Sequence, residues 1–283
     1  MGSDSLPGFR PVTQAGQAGL AALLADPARA LIALDFDGTL APIIEDPTQS
    51  RPLPQSAAAL RALAPVIGTL AVITGRPATA AVEYGSLDQI PGIIVLGQYG
   101  RQRWQDGELN SPPPPPGLSV ARGQLPEVLA AARAPAGTWV EDKGDALAVH
   151  TRRTADPQGT LELLRAPLLR LAARTGLRAD PGRLVIELRP EGADKGQTLH
   201  DLAAESSRSA VLFAGDDLGD RPAFEAIRHL QSAGQPALAV CSRSAEVPEL
   251  AAEADLAVDG PEGIATFLAA LATAASAASA PDG

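Results

Sequence analysis

The stretch Leu31-Ile32-Ala33-Leu34-Asp35-Phe36-Asp37-Gly38-Thr39 decides how the chain is read. Its first four residues are uninterruptedly apolar, the pattern of a strand buried on both faces, as in a parallel sheet covered by helices. The strand ends on two carboxylates, and Gly38 permits a sharp exit that lets both face one point. Of such a pair, one carboxylate can attack a phosphoryl group while the other donates a proton to the leaving oxygen. Taken alone, the pair also admits the lesser reading of an Asp-Gly turn or a helix cap.

Outward from this motif the βα rhythm continues, with a helix over 55–63, a strand at Leu70-Ala71-Val72-Ile73, a helix over 78–84, a strand at Ile93-Ile94-Val95-Leu96 and a hairpin turn at Asp106-Gly107. Five prolines, Pro112 to Pro116, then predict a stiff polyproline II connector that is neither helix nor central strand. Beyond it the order changes. A helix near 124–132, strands over 138–141 and 146–150 around a Lys143-Gly144 turn, a helix over 161–174 and strands near 177 and over 184–188 predict an antiparallel α+β unit. After Arg189-Pro190-Glu191-Gly192 the βα rhythm resumes: helix 197–204, strand 210–214, helix 222–230, strands 237–240 and 256–258, and a helix over 263–275. The predicted division is a core first half at 1–108 with an N-terminal extension at 1–28, an α+β domain at 109–190, a core second half at 191–275 and a flexible tail at 276–283. The fold class expected is α/β, a Rossmann-like parallel-sheet core with an inserted α+β domain.

A chain of 283 residues is long enough to bury such a core. The net charge of -10 excludes a broad phosphate-backbone binder, so no nucleic-acid partner is expected. Cys241 is the one cysteine and rules out an internal disulfide. With no basic, apolar secretory start and no apolar stretch of membrane-spanning length, a cytoplasmic protein without membrane contact is expected. Oligomeric state is not legible. Of 23 Lys plus Arg only Lys143 and Lys195 are lysines, so each invites a reason.

Loops at the carboxyl ends of parallel strands form the ligand crevice, and three further elements fall there or nearby. Thr74 closes the second strand in Thr74-Gly75-Arg76, where a hydroxyl and backbone amides can hold a phosphate oxygen, or where Thr74 simply starts a helix. Lys195 opens a helix and either neutralises phosphate charge or is a solvated lysine. Asp216, Asp217 and Asp220 crowd three carboxylates into five residues, a costly arrangement without a cation. Mg²⁺ suits such oxygen donors, and the sequence offers no histidine or cysteine cluster for zinc. An acidic turn opening a helix explains Asp220 but hardly all three. Arg76, Arg152 and Arg183 are lesser phosphate or sugar candidates that also read as solvated arginines, and His150, His200 and His229 read as structural or surface residues.

These four elements, in this order at strand ends, resemble the haloacid dehalogenase superfamily. The resemblance implies a Mg²⁺-dependent phosphatase or mutase: attack by Asp35 to form an aspartyl-phosphate, acid and base work by Asp37, phosphate contacts from Thr74, Gly75, Arg76 and Lys195, and metal ligation by Asp35, the main-chain carbonyl of Asp37, and Asp216. Asp217 and Asp220 would be supporting acids that orient Lys195 or metal-bound water. It also implies that the inserted unit is a cap domain that selects the substrate.

A narrower resemblance is carried by Leu96-Gly97-Gln98-Tyr99-Gly100, Glu141-Asp142-Lys143-Gly144 through Leu147-Ala148-Val149-His150, and Val185-Ile186-Glu187-Leu188-Arg189-Pro190 followed by Lys195-Gly196. These look like trehalose-6-phosphate phosphatases, whose cap reads sugar hydroxyls with a Glu-x-Lys pair, here Glu141 and Lys143. Glu187 either faces the sugar or caps the sheet, and Glu141 and Lys143 also read as a charge pair at a hairpin tip. The chain departs from the family's usual Gly-Asp-Asp-x-Thr-Asp-Glu at Gly219 and Arg221, and from its Asn-His type pair at Gln98-Tyr99. The expected function is hydrolysis of trehalose 6-phosphate in trehalose biosynthesis. The alternatives are another sugar-phosphate phosphatase or mutase of the superfamily (sucrose-phosphate, mannosyl-phosphoglycerate, phosphomannomutase-like) and a non-catalytic sugar-phosphate sensor.

Overall fold

A computed structural model describes residues 6–279 apart from 45, 115, 183, 191, 193, 206, 245 and 246. Arg183, the last proline but one of the proline run, and the tail beyond 279 therefore lie outside the described residues.

In chain order the elements are α1 (Gln14–Ala25), β1 (Leu31–Leu34), α2 (Pro54–Leu63), β2 (Thr69–Ile73), α3 (Ala78–Gly85), β3 (Ile94–Gly97), β4 (Gln102–Gln105), β5 (Glu108–Asn110), α4 (Pro116–Ala131), β6 (Trp139–Asp142), β7 (Leu147–His150), α5 (Pro157–Thr175), β8 (Leu177–Gly182), β9 (Val185–Pro190), α6 (Lys195–Ala204), β10 (Val211–Gly215), α7 (Arg221–Ser232), β11 (Ala237–Arg243), α8 (Pro248–Glu253), β12 (Leu256–Asp259) and α9 (Gly260–Ser279). They form two compact units. One comprises the chain up to Ser111 and from Asp194 onward, and the other is Pro112–Ala193.

The first unit holds a sheet in the order β12-β11-β10-β1-β2-β3-β4-β5. From β12 to β3 neighbouring strands are parallel, and β4 and β5 add an antiparallel hairpin at one edge. Alternate residues of β1 feed opposite faces. Ile32 and Leu34 join α1, α2, α3 and α9 on one side, while Leu31 and Ala33 join α6, α7 and α8 on the other. All four are fully buried, as the apolar run requires.

The second unit is a sheet of order β6-β7-β9-β8 with antiparallel pairings. Leu147, Val149, Ile186 and Leu188 point to one face and are buried with Leu118, Leu125, Leu164, Leu168 and Leu171 of α4 and α5. The register sets Trp139 opposite His150 and Ala148 beside both Glu141 and Glu187, so these side chains share the other face.

Two expectations are corrected, and the N-terminal extension, for which no element is predicted, gains a helix. Pro116 is not part of a connector but the first residue of α4, because a first-turn proline lacks only an N–H that the helix leaves unpaired anyway. The extension at 1–28 contains α1, capped by Thr13, whose Oγ1 accepts from the Gly16 amide at 2.9 Å. Finally, α9 is 20 residues long with a mean hydropathy of 1.2, so one helix does reach membrane-spanning length and composition. Its Ile264, Phe267, Leu268 and Leu271 are buried against the main sheet, which accounts for its apolar character.

Candidate active site

Asp35, Thr74 and Asp216 each immediately follow a strand, and the register places Leu34 of β1 between Val72 of β2 and Ala214 of β10. The three residues therefore emerge from adjacent strands at the point where strand order reverses, where open α/β sheets bind ligands. Phe36, between the two aspartates, is fully buried, a burial worth about 2 to 3 kcal/mol that anchors the loop. Gly38 has φ 78°, and a Cβ there would lie 2.0 Å from Oδ2 of Asp216. Glycine is what lets the nucleophile loop approach the acidic motif.

Lys195 is the first residue of α6, and the capping Asp194 accepts from the Gln197 amide at 2.8 Å. A cation at a helix N-terminus opposes the helix dipole, yet Lys195 is only 4% exposed. Two carboxylates compensate: Nζ donates to Oδ1 of Asp35 at 2.5 Å and to Oδ1 of Asp220 at 2.6 Å. Burial works against the ammonium, but Asp220 and Asp35 outweigh it and hold its pKa well above the ordinary lysine range. Oδ2 of Asp220 accepts from the amides of Asp216 at 2.9 Å and Asp217 at 3.1 Å, so both of its oxygens are committed. Asp217 is exposed and caps the turn by accepting from the Gly219 amide at 2.8 Å. Arg221 pairs with Glu253 at 2.9 Å.

Asp35, Asp216 and Asp220 offer oxygens within 4.8 Å of one another, and all three residues are buried. Burial, then the charges of Asp35 and Asp220, pushes the Asp216 carboxyl up to about 10. Burial likewise raises that of Asp35 against the pull of Lys195. Carboxylates crowded to this degree fit a divalent cation, which reverses the local preference for protons, and an all-oxygen donor set suits Mg²⁺. Asp35 and Asp216 are the members with oxygens left to face it.

Asp37 turns its side chain toward Arg76. Nε and Nη2 of Arg76 donate to Oδ2 and Oδ1, both at 2.7 Å, and Nη2 also reaches the Pro47 carbonyl at 2.8 Å. The guanidinium lies 5.2 Å over the Phe36 ring and 5.4 Å over that of Tyr84. Arg76 was expected among phosphate contacts, and its observed partner is the second aspartate. A signal for this exists in the spacing: both residues stand third after adjacent parallel strands.

Oγ1 of Thr74 accepts from the Arg76 amide at 3.1 Å, and Gly75 lies beneath Tyr99, whose hydroxyl a Cβ at 75 would meet at 2.8 Å. Gln98 and Tyr99 adopt φ 50° and 58°, a left-handed conformation non-glycine residues seldom take. Their amides donate to Arg76 O at 2.8 Å and Thr74 O at 2.9 Å, and Tyr99 O accepts from Oγ1 of Thr198 at 2.7 Å. The main chain at Gln98-Tyr99 thus braces the Thr74 loop against α6.

In the second unit, Lys143 Nζ lies 3.2 Å from Oε2 of Glu187. Oε2 of Glu141 is 2.9 Å from Nε2 of His150, a residue whose sequence context alone reads as structural or surface. Arg152 is exposed.

The trehalose-phosphatase family matches residues 33–262. The chain belongs to this family. It is 35% identical over 251 residues to a trehalose-phosphate phosphatase of Mycobacterium avium, covering 84% of this chain and 61% of that one. It is 36% identical over 213 residues to an uncharacterized glycosyl hydrolase of Mycobacterium tuberculosis, covering 71% of this chain and 15% of that one. The chain thus spans about three-fifths or less of the length of these two relatives. In fold it is similar to the C-terminal domain of C. albicans trehalose-6-phosphate phosphatase, with a TM-score of 0.72 at 19% identity over 94% of this chain and 99% of that one. It is also similar to a haloacid dehalogenase-like hydrolase of Bacteroides thetaiotaomicron, with a TM-score of 0.59 at 16% identity over 85% and 98%.

Proposed function

We propose that the chain is a Mg²⁺-dependent phosphatase that hydrolyses trehalose 6-phosphate to trehalose and phosphate. The observation that carries this reading is the buried ammonium of Lys195 bridging Asp35 and Asp220 beside Asp216. Lys195 engages the Asp35 carboxylate through Oδ1. That carboxylate attacks phosphorus to give an aspartyl-phosphate, and Asp37 passes a proton to the departing sugar oxygen. Asp37 then takes a proton from the water that hydrolyses the aspartyl-phosphate. The Thr74 hydroxyl and the Gly75 amide hold phosphoryl oxygens while Lys195 neutralises their charge. Mg²⁺, held by Asp35, Asp216 and the main-chain carbonyl of Asp37, would supply further charge neutralisation for the phosphoryl group.

The family supports trehalose 6-phosphate as substrate, and the inserted unit supplies a chemistry for it. Glu141 and Glu187 accept from sugar hydroxyls and Lys143 donates to them, so a sugar lacking those hydroxyls forfeits charge-assisted hydrogen bonds.

Phosphate release from trehalose 6-phosphate, sucrose 6-phosphate, mannose 6-phosphate and glucose 6-phosphate, with Mg²⁺ and with a chelator, tests the reading. Trehalose 6-phosphate is expected to turn over at least about tenfold faster than the others. Equal rates on glucose 6-phosphate would remove the substrate assignment, and undiminished turnover in chelator would remove the cation.

A further inference from the structure

The open face of the second unit's sheet carries an arrangement that the charge pair Glu141 and Lys143 does not explain. His150 stands directly opposite Trp139 across β6 and β7, and their rings stack with centroids 3.9 Å apart and planes 6° apart. The guanidinium of Arg153 lies 5.2 Å over the same indole. Stacking fixes both torsions of the imidazole and aims Nε2 at Oε2 of Glu141, 2.9 Å away. Glu141 is two residues from Trp139 on the same strand face, so the three side chains form one row.

A glutamate on a sheet surface ordinarily samples many rotamers, and holding it to one costs side-chain entropy whenever it binds a hydroxyl. Here that cost is met before the sugar arrives. We propose that His150, clamped flat on Trp139, is a positioning residue that holds the Glu141 carboxylate in the orientation in which it accepts from a sugar hydroxyl. The inference rests on the reading of Glu141 as a sugar contact. Trp139, with His150 stacked on its ring, serves as the backing of this device rather than as a stacking platform for the sugar. Lys143 and Glu187 form the neighbouring ion pair, so pre-ordering extends to both carboxylates assigned to the sugar.

The test is the ratio of kcat/KM on trehalose 6-phosphate to kcat/KM on p-nitrophenyl phosphate, a substrate with no sugar to read. His150→Phe keeps an aromatic ring for Trp139 and removes the nitrogen, and the ratio is expected to fall about tenfold, the scale of fixing one side chain. His150→Gln, whose amide can still donate to Glu141, is expected to regain much of it. Trp139→Leu removes the backing while leaving the imidazole and is expected to lower the ratio in the same direction, which covers the case of a poorly folded His150→Phe. A purely structural role would lower both rates together and leave the ratio unmoved, and that outcome overturns the inference. Glu141→Gln separates the two levels. If it lowers the ratio while His150→Phe does not, the sugar contact stands and the positioning role is wrong. If Glu141→Gln leaves the ratio unchanged, the sugar contact is wrong and the positioning role falls with it.

Discussion

Arg76 grips Asp37 through two parallel hydrogen bonds of 2.7 Å each, from Nε and Nη2 to the two carboxylate oxygens. The pair is half-buried, with the guanidinium the better shielded partner at 13% side-chain exposure against 38%. A fork of this kind sets the plane of the carboxylate as well as its position. Arg76→Ala should therefore lower kcat by about a hundredfold, within the range acid–base catalysis supplies, with little change in KM. Arg76→Lys should recover only part, since an ammonium cannot make the bidentate contact. An unchanged kcat with a raised KM would instead make Arg76 a substrate anchor.

Asp35→Asn removes the nucleophile while leaving Lys195 its contact with Asp220. Turnover is expected to drop at least about a thousandfold with the protein still folded, as judged by circular dichroism. Appreciable phosphate release from the folded variant would count against Asp35 as the attacking group.

Asp216 gives the stability of the fold a pH dependence. Its carboxyl is raised from 3.8 to about 10 in the folded chain, so between these values the folded state binds a proton that the unfolded state has released. That contribution to stability is fully present below the unfolded value and is lost as pH rises through the folded one. In chelator, the Tm should therefore fall as pH climbs from about 5 to about 9. Saturating Mg²⁺ should flatten the slope and raise the Tm, since a ligand bound to the folded state stabilises it by mass action. Asp216→Asn should weaken both effects, with Asp35 retaining its share, and a Tm in chelator that rises over this range would mean that burial does not raise the Asp216 carboxyl.

Gly38→Ala places a methyl group 2.0 Å from Oδ2 of Asp216 at a φ of 78°. A loss of about 1 to 3 kcal/mol in stability is expected, measurable by urea unfolding, together with a sharp loss of kcat as Asp35 and Asp216 are pushed apart. Full activity in this variant would mean the loop accommodates the methyl group without moving Asp216.

Lys143→Ala, on the other unit, should lower kcat/KM for trehalose 6-phosphate by about tenfold or more while changing that for p-nitrophenyl phosphate far less. Equal losses on both substrates would assign Lys143 to the fold rather than to the sugar.

The strands and the residues that close them were readable because parallel strands buried on both faces have no room for polar residues until they end. Leu31 to Leu34 followed by Asp35, and Val211 to Gly215 followed by Asp216, are such cases. The partnership of Arg76 with Asp37 was not read, because it depends on the register between β1 and β2 rather than on either motif alone. Helix α1 was hidden by Gly16 and Gly19, poor helix formers. They are required by packing: a Cβ at 16 would lie 2.4 Å from that of Asp255, and one at 19 would lie 2.2 Å from the carbonyl of Ala237. The ring pair of Trp139 and His150 was missed for a similar reason, since only the hairpin register sets them face to face.

The strand that carries the nucleophile has one neighbour close in sequence, β2, and another, β10, that follows only after the whole of the inserted segment. On a ribosome, which delivers the chain from its N-terminus, β1 must wait with one edge unpaired while some 180 residues are made. Asp35 meanwhile has neither Lys195 nor Asp216 beside it. Asp35 thus gains these neighbours only after the inserted segment has been made, and until then β1 keeps an open edge of the kind that invites aberrant strand pairing.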